Sequence, residues 1–598
     1  MTLRKTKIVC SVGPACDNDD TIRRMILAGM NIARFNFSHG TYEWHSQAME
    51  RVRRISKELN VPVGILLDTK GPEIRTGLTP DNREIAVSAG EVVELVSDDS
   101  PCTQADGAKP CHISLSWKEA AQKLLPGHKV LIADGLIELE VTEIRAPLIL
   151  CRAVNGGKIS SRKNVNLKGV HAGLPIMSDK DKADLRFGAQ QDVDFIAASF
   201  VSFPEEVVQI KSFIKELGLD ARVIAKIESE EGVQNIEGII KEADGVMVAR
   251  GDLGVQLSPE RIPLVQKSII KACRQAGKPV ITATQMLDSM IVNPRPTRAE
   301  LTDVANAVFD GTDAVMLSGE TAGGKYPVEA VSTMALVTST TEDSEEYRNC
   351  MKVLDAAYKP GFEVGHAVMH SAYKLARNIE AKALIIPTMH GNTARTIGSY
   401  RPEQIIIGVT PFDKVGRQLT IQWGVVPVRC DLAEDSEMMI QNAVKLALDS
   451  GAVHLSDKVV VCAGIPLSSP LMANTIKVLI VGNVLARGTA FGFNNEALPK
   501  AGGRVVQVKD VSGLREQLMV NRNTILVCWR ITEDLIPLLR VVDGVVAESG
   551  SDVSADVLSA VNKNLVWIQN VRNACKILEN DLSVTIDGEQ GLVYEGII

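Results

Sequence analysis

Hydrophobic and polar positions follow two different patterns along this chain. In residues 7–69 and 188–342, short apolar runs rich in β-branched residues alternate with longer helical patterns. This alternation is typical of parallel α/β folds, in which a helix follows each strand and packs on the sheet. Eight runs end in polar or glycine-containing sequence: KIVCSVG, MNIARFNF, VGILLDT, DFIAASF, VIAKIE, GVMVAR, PVITAT and DAVML. The pattern predicts an α/β fold, a (β/α)8 barrel with its chemistry at the carboxyl ends of the strands.

The remaining sequence predicts further domains. The segment between the third and fourth strands contains runs in which Val, Ile and Glu alternate, and turns with Gly and Pro separate these runs. This pattern indicates an inserted small β domain. Beyond the barrel, a helix and three apolar strands indicate a Rossmann-like α/β domain, and a turn-rich segment precedes the last part of the chain. The predicted domains are the barrel (1–70 and 170–345), the insert (71–169), the α/β domain (346–485) and an extra C-terminal domain (486–598).

Composition narrows the possible functions. The 598 residues carry a formal net charge of −8, which argues against nucleic acid or an anionic membrane as the main partner. Aromatic residues, at 4%, are too sparse for a protein that stacks on bases. The eleven cysteines include no CxxC pair, which favours a reducing compartment. Because the sequence has neither a secretion signal nor a membrane-spanning run, we expect a cytoplasmic protein.

Charged residues follow two neighbouring barrel strands. Lys226 and Glu228 are two residues apart and therefore share one face of a strand, and Asp252 follows the next strand. Phosphoryl transfer requires metal ligands and cations that neutralise phosphate charge, and two carboxylates at one barrel mouth suit Mg²⁺. Taken alone, the same three residues could equally form a structural ion network.

Six motifs, in the same order, make the chain resemble the pyruvate kinases from about Lys5 to Arg487. They are MNIARFNFSHG (30–40), LLDTKGPEIRTG (66–77), AKIESEEG (225–232), ARGDLGVQL (249–257), ITATQMLDSM (281–290) and the long run from NPRPTRAE to YPVEA (293–330). Six motifs in one order are far more specific than a lone glycine-rich loop. The resemblance implies transfer of the phosphoryl group of phosphoenolpyruvate to ADP, which gives ATP and an enolate that is then protonated to pyruvate.

The resemblance also implies roles for the charged residues. Lys226 would lie beside the transferring phosphoryl group and the enolate oxygen, where a fixed cation is most effective because water is scarce. Glu228 and Asp252 would hold Mg²⁺, or Mn²⁺, against oxygens of the substrate. The segment that would cradle the substrate carboxylate consists of Ala249, Arg250 and Gly251. We therefore expect the substrate to bind at the ends of neighbouring strands.

Proton transfer and phosphate binding are assigned in the same way. Thr284 matches the threonine implicated in protonating the enolate through a water molecule, and the same threonine is implicated in binding the substrate. Ser318 would belong to the same proton relay. On its own, Thr284 would be an ordinary strand residue, because β-branched residues favour strands. Arg34 would contact phosphate, since a guanidinium offers paired donors. The residues expected at the nucleotide are Asn36, His39 and Arg75.

A monovalent-cation site and an effector site complete the implied set. The residues expected to offer oxygens to K⁺ are Asn36, Ser38, Asp68 and Thr69. Glu73 resembles the K⁺-requiring branch of the family, whereas a lysine stands there in the K⁺-independent branch. The loop similar to the one that binds a phosphorylated effector, a sugar phosphate or AMP, contains Thr388, His390, Gly391, Asn392 and Thr393. An unused loop is the alternative. The family also implies a homotetramer.

Three departures from the family pattern stand out. Lys168 and Gly173 occupy hinge positions where relatives usually have proline and Asp or Asn, and His390 replaces a serine. The tail resembles the phosphohistidine swivelling domain of enzymes that use phosphoenolpyruvate, but Ser554 stands at the histidine position. The last histidine of the chain is His454, so we expect an assembly or structural role for the tail rather than phosphohistidine chemistry. A non-catalytic phosphate-ligand sensor is the rival to an enzyme, although no catalytic position is lost.

Overall fold

The computed structural model describes residues 4–107, 109–356, 364–432, 436–465, 473–482, 484–493, 499–508 and 523–596. Two compact units divide the chain. The first comprises Met1–Arg377, Leu384–Ala443 and Val461–Ile476, and the second comprises Asn378–Ala383, Val444–Val460 and Lys477–Ile598. In the described ranges, no helix is both long enough and apolar enough to cross a membrane. All eleven cysteines are free thiols, and ten of them are at least partly buried.

A closed barrel of eight parallel strands forms the centre of the first unit. The strands are β1 (Lys7–Ser11), β2 (Ile32–Asn36), β3 (Gly64–Asp68), β13 (Phe195–Ala198), β14 (Arg222–Ile227), β15 (Gly245–Ala249), β16 (Val280–Ala283) and β17 (Ala314–Leu317). The sheet closes where β1 pairs with both β2 and β17. All eight predicted strands are confirmed. Nearly all of their residues are buried, on both faces of the sheet, which explains why each strand reads as a nearly continuous apolar run.

Helices cover the outside of the barrel with one apolar face each. In α2, the apolar face includes Met49, Val52 and Ile55 at helical spacing, the Thr41 side chain caps the first turn, and left-handed Asn60 ends the helix. The helices of this region and its insert are α1 (Asp19–Ala28), α2 (Tyr42–Leu59), α3 (Ala120–Lys123), α4 (Asp179–Gln190), α5 (Pro204–Glu216), α6 (Glu230–Gln234), α7 (Ile236–Glu242), α8 (Arg250–Gln256), α9 (Ile262–Gln275), α10 (Arg298–Asp310), α11 (Gly319–Ala322), α12 (Pro327–Asp343) and α13 (Glu345–Ala356). Short 3-10 helices lie at Pro14–Cys16, Pro80–Asn82, Pro259–Arg261, Asp288–Ile291, Leu419–Ile421 and Glu533–Leu535.

The inserted segment folds as a small β domain, as predicted. Its strands are β4 (Ile74–Arg75), β5 (Ile85–Val87), β6 (Val92–Val96), β7 (Cys111–Ser114), β8 (Lys129–Ile132), β9 (Ile137–Arg145), β10 (Leu148–Ala153), β11 (Gly157–Ile159) and β12 (Asn164–Lys168). Seven of them form one sheet with β4 and β7 at its edges, and β5 pairs with β11. An isolated bridge pairs Thr76 with Leu115, the residues that follow the two edge strands. The apolar alternation of these strands fills one core.

The α/β region after the barrel contains a five-stranded sheet in the order β20-β19-β18-β21-β22. Its strands are β18 (Ala383–Pro387), β19 (Ile405–Thr410), β20 (Val425–Arg429), β21 (Lys458–Ala463) and β22 (Thr475–Ile480). The helices are α14 (Val364–Asn378), α15 (Asn392–Ser399), α16 (Asp413–Gln418) and α17 (Ser436–Asp449). The three strands that the sequence predicted here, ALIIPT, IIIGVT and KVVVCAG, are β18, β19 and β21. The domain limits given above stay predictions.

The C-terminal part contains an eight-stranded mixed sheet in the order β23-β30-β29-β25-β26-β27-β28-β24. Its strands are β23 (Val484–Arg487), β24 (Ala490–Phe493), β25 (Lys500–Gln507), β26 (Thr524–Cys528), β27 (Gly544–Ala547), β28 (Val566–Gln569), β29 (Ser583–Asp587) and β30 (Leu592–Glu595). The described helices are α18 (Ile536–Leu539), α19 (Ala555–Val561) and α20 (Ala574–Ile577). Ser554, at the position of the expected histidine, caps α19 by accepting the Val557 N–H.

Candidate active site

Lys226 lies at the centre of a buried ion network at the carboxyl end of β14. Its Nζ contacts Ser199 Oγ at 2.7 Å, Glu228 Oε1 at 3.0 Å and Asp68 Oδ1 at 3.1 Å. Burial lowers the pKa of Lys226, but the carboxylates of Asp68 and Glu228 outweigh burial, so its pKa is raised above the ordinary value. The lysine is therefore protonated and held in place by its neighbours.

Two carboxylates, the buried Glu228 and the half-buried Asp252, face each other beside this lysine. Burial raises the pKa of Glu228 to about 7, the charge of Asp252 adds to that rise, and Lys226 opposes it. The pKa of Asp252 is also raised, first by burial and then by Asp134, although a hydrogen bond with Glu228 works against the rise. The acids of this network outnumber its cations, which leaves negative charge uncompensated. The sequence places Glu228 and Asp252 at the ends of neighbouring strands, and the structure brings the two carboxylates together.

This donor set fits a hard divalent cation. Buried carboxylate oxygens are the ligands that Mg²⁺ prefers, and Mg²⁺ usually binds through one or two of them while keeping water and substrate oxygens. Throughout the part of the chain that the structure describes, no group of three or more His, Cys, Asp and Glu residues forms a self-sufficient metal cage. Glu228 is fixed in place because its Oε2 accepts the Phe200 N–H at 2.7 Å. The pair therefore suits a metal that substrate helps to bind.

Arg34 joins the same network from β2. Its Nε donates to Asp68 Oδ2 at 2.6 Å, and its Nη1 donates to Ser11 Oγ at 2.7 Å. Burial raises the pKa of Asp68, but Lys226 and Arg34 outweigh it, so the pKa is held below its usual value. Asp68 is thus an ionised carboxylate between two cations, and it holds both side chains at the barrel mouth.

The four residues expected at K⁺ lie at the ends of two adjacent strands. Asn36 and Asp68 are direct partners in the pairing of β2 with β3. The Asn36 Oδ1 accepts the Ser38 N–H at 3.0 Å, and the Thr69 Oγ1 donates to the Ala197 carbonyl at 3.3 Å. The structure therefore brings Asn36, Ser38, Asp68 and Thr69 to one part of the mouth, beside Lys226.

Thr284 and Ser318 follow the adjacent strands β16 and β17. The Thr284 Oγ1 accepts the Gly251 N–H at 2.8 Å and donates to the Ala283 carbonyl at 2.6 Å. The Ser318 Oγ is buried and has no hydrogen-bond partner within the described ranges. Glu320 ties the two loops together, because its carboxylate accepts the N–H of Ser318 at 2.7 Å and that of Leu287 at 3.0 Å.

Residues expected at the nucleotide lie in two places. Arg75, on β4 of the insert, pairs with Glu73 at 2.6 Å, and its Nη1 donates to the Arg162 carbonyl at 2.9 Å. The His39 carbonyl lies 2.9 Å from the ring Nε2 of His45. A cleft between the insert and the barrel has Glu73 and Asp252 in its wall. The insert therefore contributes to the same opening as the metal-ligand pair.

The expected effector loop precedes α15. The Thr388 Oγ1 accepts the Gly391 N–H at 2.9 Å, Gly391 has a left-handed φ of +80°, and Asn392 begins the helix. Thr393 is buried and His390 is exposed. In the hinge, Gly173 has a φ of +69°, a conformation that Asp and Asn also tolerate, so the departure from the family pattern preserves the turn.

Sequence reasoning missed two residues at the mouth. Ser199 donates to the Thr69 carbonyl at 2.7 Å and receives a hydrogen bond from Lys226. Its position at the end of the predicted strand DFIAASF was the available signal. Asp303, on α10, binds Arg250 at 2.7 Å, and nothing in the local sequence indicates that contact.

Comparisons with known proteins identify the family. Residues 3–331 match the family described as pyruvate kinase, barrel domain, residues 366–479 match the pyruvate kinase alpha/beta domain, and residues 520–591 match the mobile domain of PEP-utilising enzymes. A pyruvate kinase of Staphylococcus epidermidis is 39% identical over 600 residues, and one of Staphylococcus aureus is 40% identical over 604; each alignment covers 99% of both chains. A crystal structure of a pyruvate kinase from Cryptosporidium parvum aligns with a TM-score of 0.75 at 40% identity, covering 80% of this chain and 96% of that one. The chain belongs to the pyruvate kinase family.

Proposed function

We propose that the network around Lys226 transfers the phosphoryl group of phosphoenolpyruvate to ADP, with a divalent cation held by Glu228 and Asp252. The observation that carries the proposal is the hydrogen-bonded pair of Glu228 and Asp252 beside Lys226, which also pairs with Asp68. The pair suits a cation, and Lys226 and Arg34 suit the phosphoryl oxygens. When bound, Mg²⁺ or Mn²⁺ would neutralise developing charge and orient the substrate oxygens.

Lys226 stabilises charge in the first step and forms no covalent bond. Its pKa is raised, so it keeps its proton and offers a permanent positive charge to the phosphoryl and enolate oxygens. Arg34 offers guanidinium donors to the phosphoryl group while Asp68 fixes its direction. The segment Ala249–Gly251 receives the substrate carboxylate, and Asn36, His39 and Arg75 contact the nucleotide.

Thr284 assists the second step, in which the enolate is protonated. Its hydroxyl is anchored between the Gly251 N–H and the Ala283 carbonyl. An alcohol is a weak acid at neutral pH, so the proton passes through water that Thr284 orients. The buried Ser318 Oγ, with no partner in the described chain, is available to such a water.

K⁺ binds between β2 and β3 and adds positive charge beside the phosphoryl group. Asn36, Ser38, Asp68 and Thr69 supply oxygens, which are the ligands that hard cations prefer. The experiment is the rate of pyruvate formation in Na⁺-free Tris buffer with and without KCl. We expect activation by KCl, and equal rates in the two buffers would exclude this site.

We also propose control by a phosphorylated metabolite and assembly as a homotetramer. The turn between Thr388 and Asn392 presents N–H groups at the start of α15, which suits a phosphate group of a sugar phosphate or AMP. The C-terminal domain has a structural role, since Ser554 is engaged as a helix cap rather than placed for phosphoryl chemistry. Light scattering tests the assembly, and titration with candidate effectors tests the loop.

Pyruvate formation from phosphoenolpyruvate and ADP, coupled to lactate dehydrogenase with Mg²⁺ and K⁺ present, tests the proposal as a whole. Lys226→Met is the control, and we expect its kcat to fall at least about 100-fold with a smaller change in substrate binding. Lys226→Arg keeps the charge and separates its contribution from geometry. Wild-type protein without turnover, even with sugar phosphates and AMP added, would favour a ligand sensor that retains the fold. Near-normal turnover in Lys226→Met would refute the role of Lys226.

A further inference from the structure

The turn that carries Thr284 has a strained backbone. Thr284 has a φ of +66° and Gln285 a φ of +52°, so two consecutive residues with side chains occupy the left-handed region. For a β-branched residue this conformation is a true outlier, and it is energetically unfavourable. A turn of this kind persists only where its surroundings hold it, and strain of this kind is concentrated at functional sites.

Arg250 is the side chain that holds the turn. Its Nε donates to the Ala283 carbonyl at 3.1 Å, and its Nη2 donates to the Thr284 carbonyl at 2.7 Å. Both carbonyls flank the Thr284 φ and ψ bonds, so the planar guanidinium fixes the direction of the backbone on each side of the strained residue. Its third nitrogen, Nη1, is bound by Asp303. The Arg250 guanidinium is therefore engaged with the Thr284 turn. The backbone of Arg250 remains free to face a substrate.

Asp303 directs the guanidinium. Its two carboxylate oxygens lie 2.8 and 2.7 Å from Arg250 Nη1. The Asp303 side chain is 36% exposed whereas that of Arg250 is 12% exposed, so the pair lies at the edge of the protein. Ion pairs that are this exposed add little to stability, and the value of this one lies in orientation.

We infer that Arg250, oriented by Asp303, is a positioning residue that holds the Thr284 hydroxyl for protonation of the enolate. The inference rests on the proposed role of Thr284. In this step a proton moves from water oriented by Thr284 to the substrate methylene carbon; a C–H bond forms, the enolate becomes the ketone, and solvent replaces the proton. No electron is exchanged with a cofactor. The Thr284 hydroxyl acts on the enolate rather than on the transferring phosphoryl group, so a displaced turn slows protonation more than phosphoryl transfer.

The two steps can be measured separately in the full-length protein. Exchange of pyruvate methyl hydrogens into D2O, followed by NMR, reports the reverse of the protonation step, and ATP formation reports phosphoryl transfer. For Asp303→Asn, we expect exchange to fall about 10- to 100-fold, since small misplacement of a reacting group has effects of this size, while ATP formation falls much less. Asp303→Glu keeps the charge and should recover part of the exchange. An equal fall in both rates would mean that Asp303 is merely structural and would overturn the inference, and so would unchanged exchange.

Matched variants separate the possible failures. Asp552→Asn removes the acid of a comparable pair, with Arg530 at 2.7 Å in the C-terminal domain, and should change neither rate. Thr284→Val tests the proposed function itself, because exchange that survives this change would remove the role of Thr284. Loss of exchange in Thr284→Val together with normal exchange in Asp303→Asn would reject the positioning role alone. If Asp303→Asn does not fold, Arg250→Lys, which keeps the charge but loses the planar fork, should show the same selective loss.

Discussion

The two ends of the barrel differ in how their carboxylates are paired. At the amino ends of the strands, Asp313 accepts the Val280 N–H at 3.1 Å and pairs with Arg401 at 2.9 Å. Asp194 repeats the arrangement, with the Ile65 N–H at 2.8 Å and Arg417 at 2.9 Å. Each carboxylate therefore caps a neighbouring strand and receives an arginine from the α/β region.

At the carboxyl ends, charge is left over. Lys226 pairs with both Asp68 and Glu228, and Asp68 also pairs with Arg34. Asp252 shares a hydrogen bond with Glu228, so the three acids have only two cations among them. The Ser318 Oγ is buried without a partner in the described part of the chain. Because buried polar groups are normally paired, the unpaired end is the one that awaits substrate and cations.

The contrast separates a structural use of charge from a functional one. A paired buried carboxylate contributes to stability only while its partner is present, and removing the partner is costly. An unpaired group reduces stability but prepares the site for a ligand. Substitutions at the two ends should therefore have opposite effects on stability and activity.

The largest effect is expected at the carboxyl end. Glu228→Gln keeps the shape of the side chain but removes one of two like charges, so we expect kcat/KM to fall at least about 1,000-fold as cation binding is lost. The melting temperature should stay equal or rise, since repulsion with Asp252 is relieved. Steady-state kinetics and thermal unfolding of the same preparation check both parts. A variant that loses activity because it unfolds would contradict the contrast.

At the amino end, we expect the reverse result. Arg401→Met leaves Asp313 buried without its partner, which should lower the free energy of unfolding by about 3–5 kcal/mol. At 25 °C the folded variant should keep its kcat, because Arg401 lies at the end of the barrel opposite the site. The double variant Asp313→Asn/Arg401→Met should recover part of the stability, since the isolated charge is gone. Urea unfolding measures the cycle, and additive effects would show that the pair is not coupled.

Much of this contrast was predictable from local sequence. The eight strands were readable because parallel strands buried on both faces are almost wholly apolar. Lys226 and Glu228 were readable because a spacing of two keeps both on one strand face. The chemistry assigned to them came from motif resemblance, since spacing alone left an ion network as an equal alternative.

Contacts between distant residues were not predictable. Arg250 and Asp303 are separated by 53 residues, and Arg401 and Asp313 by 88. The local sequence around either arginine is no different from that around a surface arginine. Each arginine meets its carboxylate partner only because the folded barrel brings distant segments together. Ser199 was missed for another reason, since a serine at a strand end carries no charge pattern even where it receives a hydrogen bond from Lys226.

Lys7 gives the amino end a pH dependence that the carboxyl end does not share. Burial lowers its pKa to about 7, helped by Arg4, and its Nζ donates to the Val425 carbonyl at 2.7 Å. In the unfolded chain the lysine has its ordinary pKa of about 10.4. Between about pH 7 and pH 10.4, the unfolded state therefore binds more protons than the folded state does. Stability should therefore rise with pH across this window, by about 1–4 kcal/mol.

The variant Lys7→Met isolates this contribution. It should show a flatter dependence of the urea midpoint between pH 7 and pH 9.5 than the unsubstituted protein, and higher relative stability at pH 7. Other groups titrate in both proteins, so the difference between the two pH profiles is the quantity to compare. Identical profiles would mean that Lys7 remains protonated when folded.

The smallest effect is expected in the strained turn of the carboxyl end. Gln285 has a φ of +52°, and glycine adopts this conformation without a steric penalty. Gln285→Gly should therefore raise the free energy of unfolding by up to about 1 kcal/mol, because relief of strain exceeds the added entropy of the unfolded chain. The same change loosens the turn beside Thr284, so pyruvate exchange in D2O should fall more than ATP formation.

Gly277→Ala is the control, because it adds backbone strain where Gln285→Gly removes it. Gly277 has a φ of +65°, and no atom lies within 4 Å of an added Cβ, so only backbone strain is introduced. A stability gain in Gln285→Gly with undiminished exchange would mean that the strain is incidental, and that only the unpaired charge distinguishes the carboxyl end from the amino end.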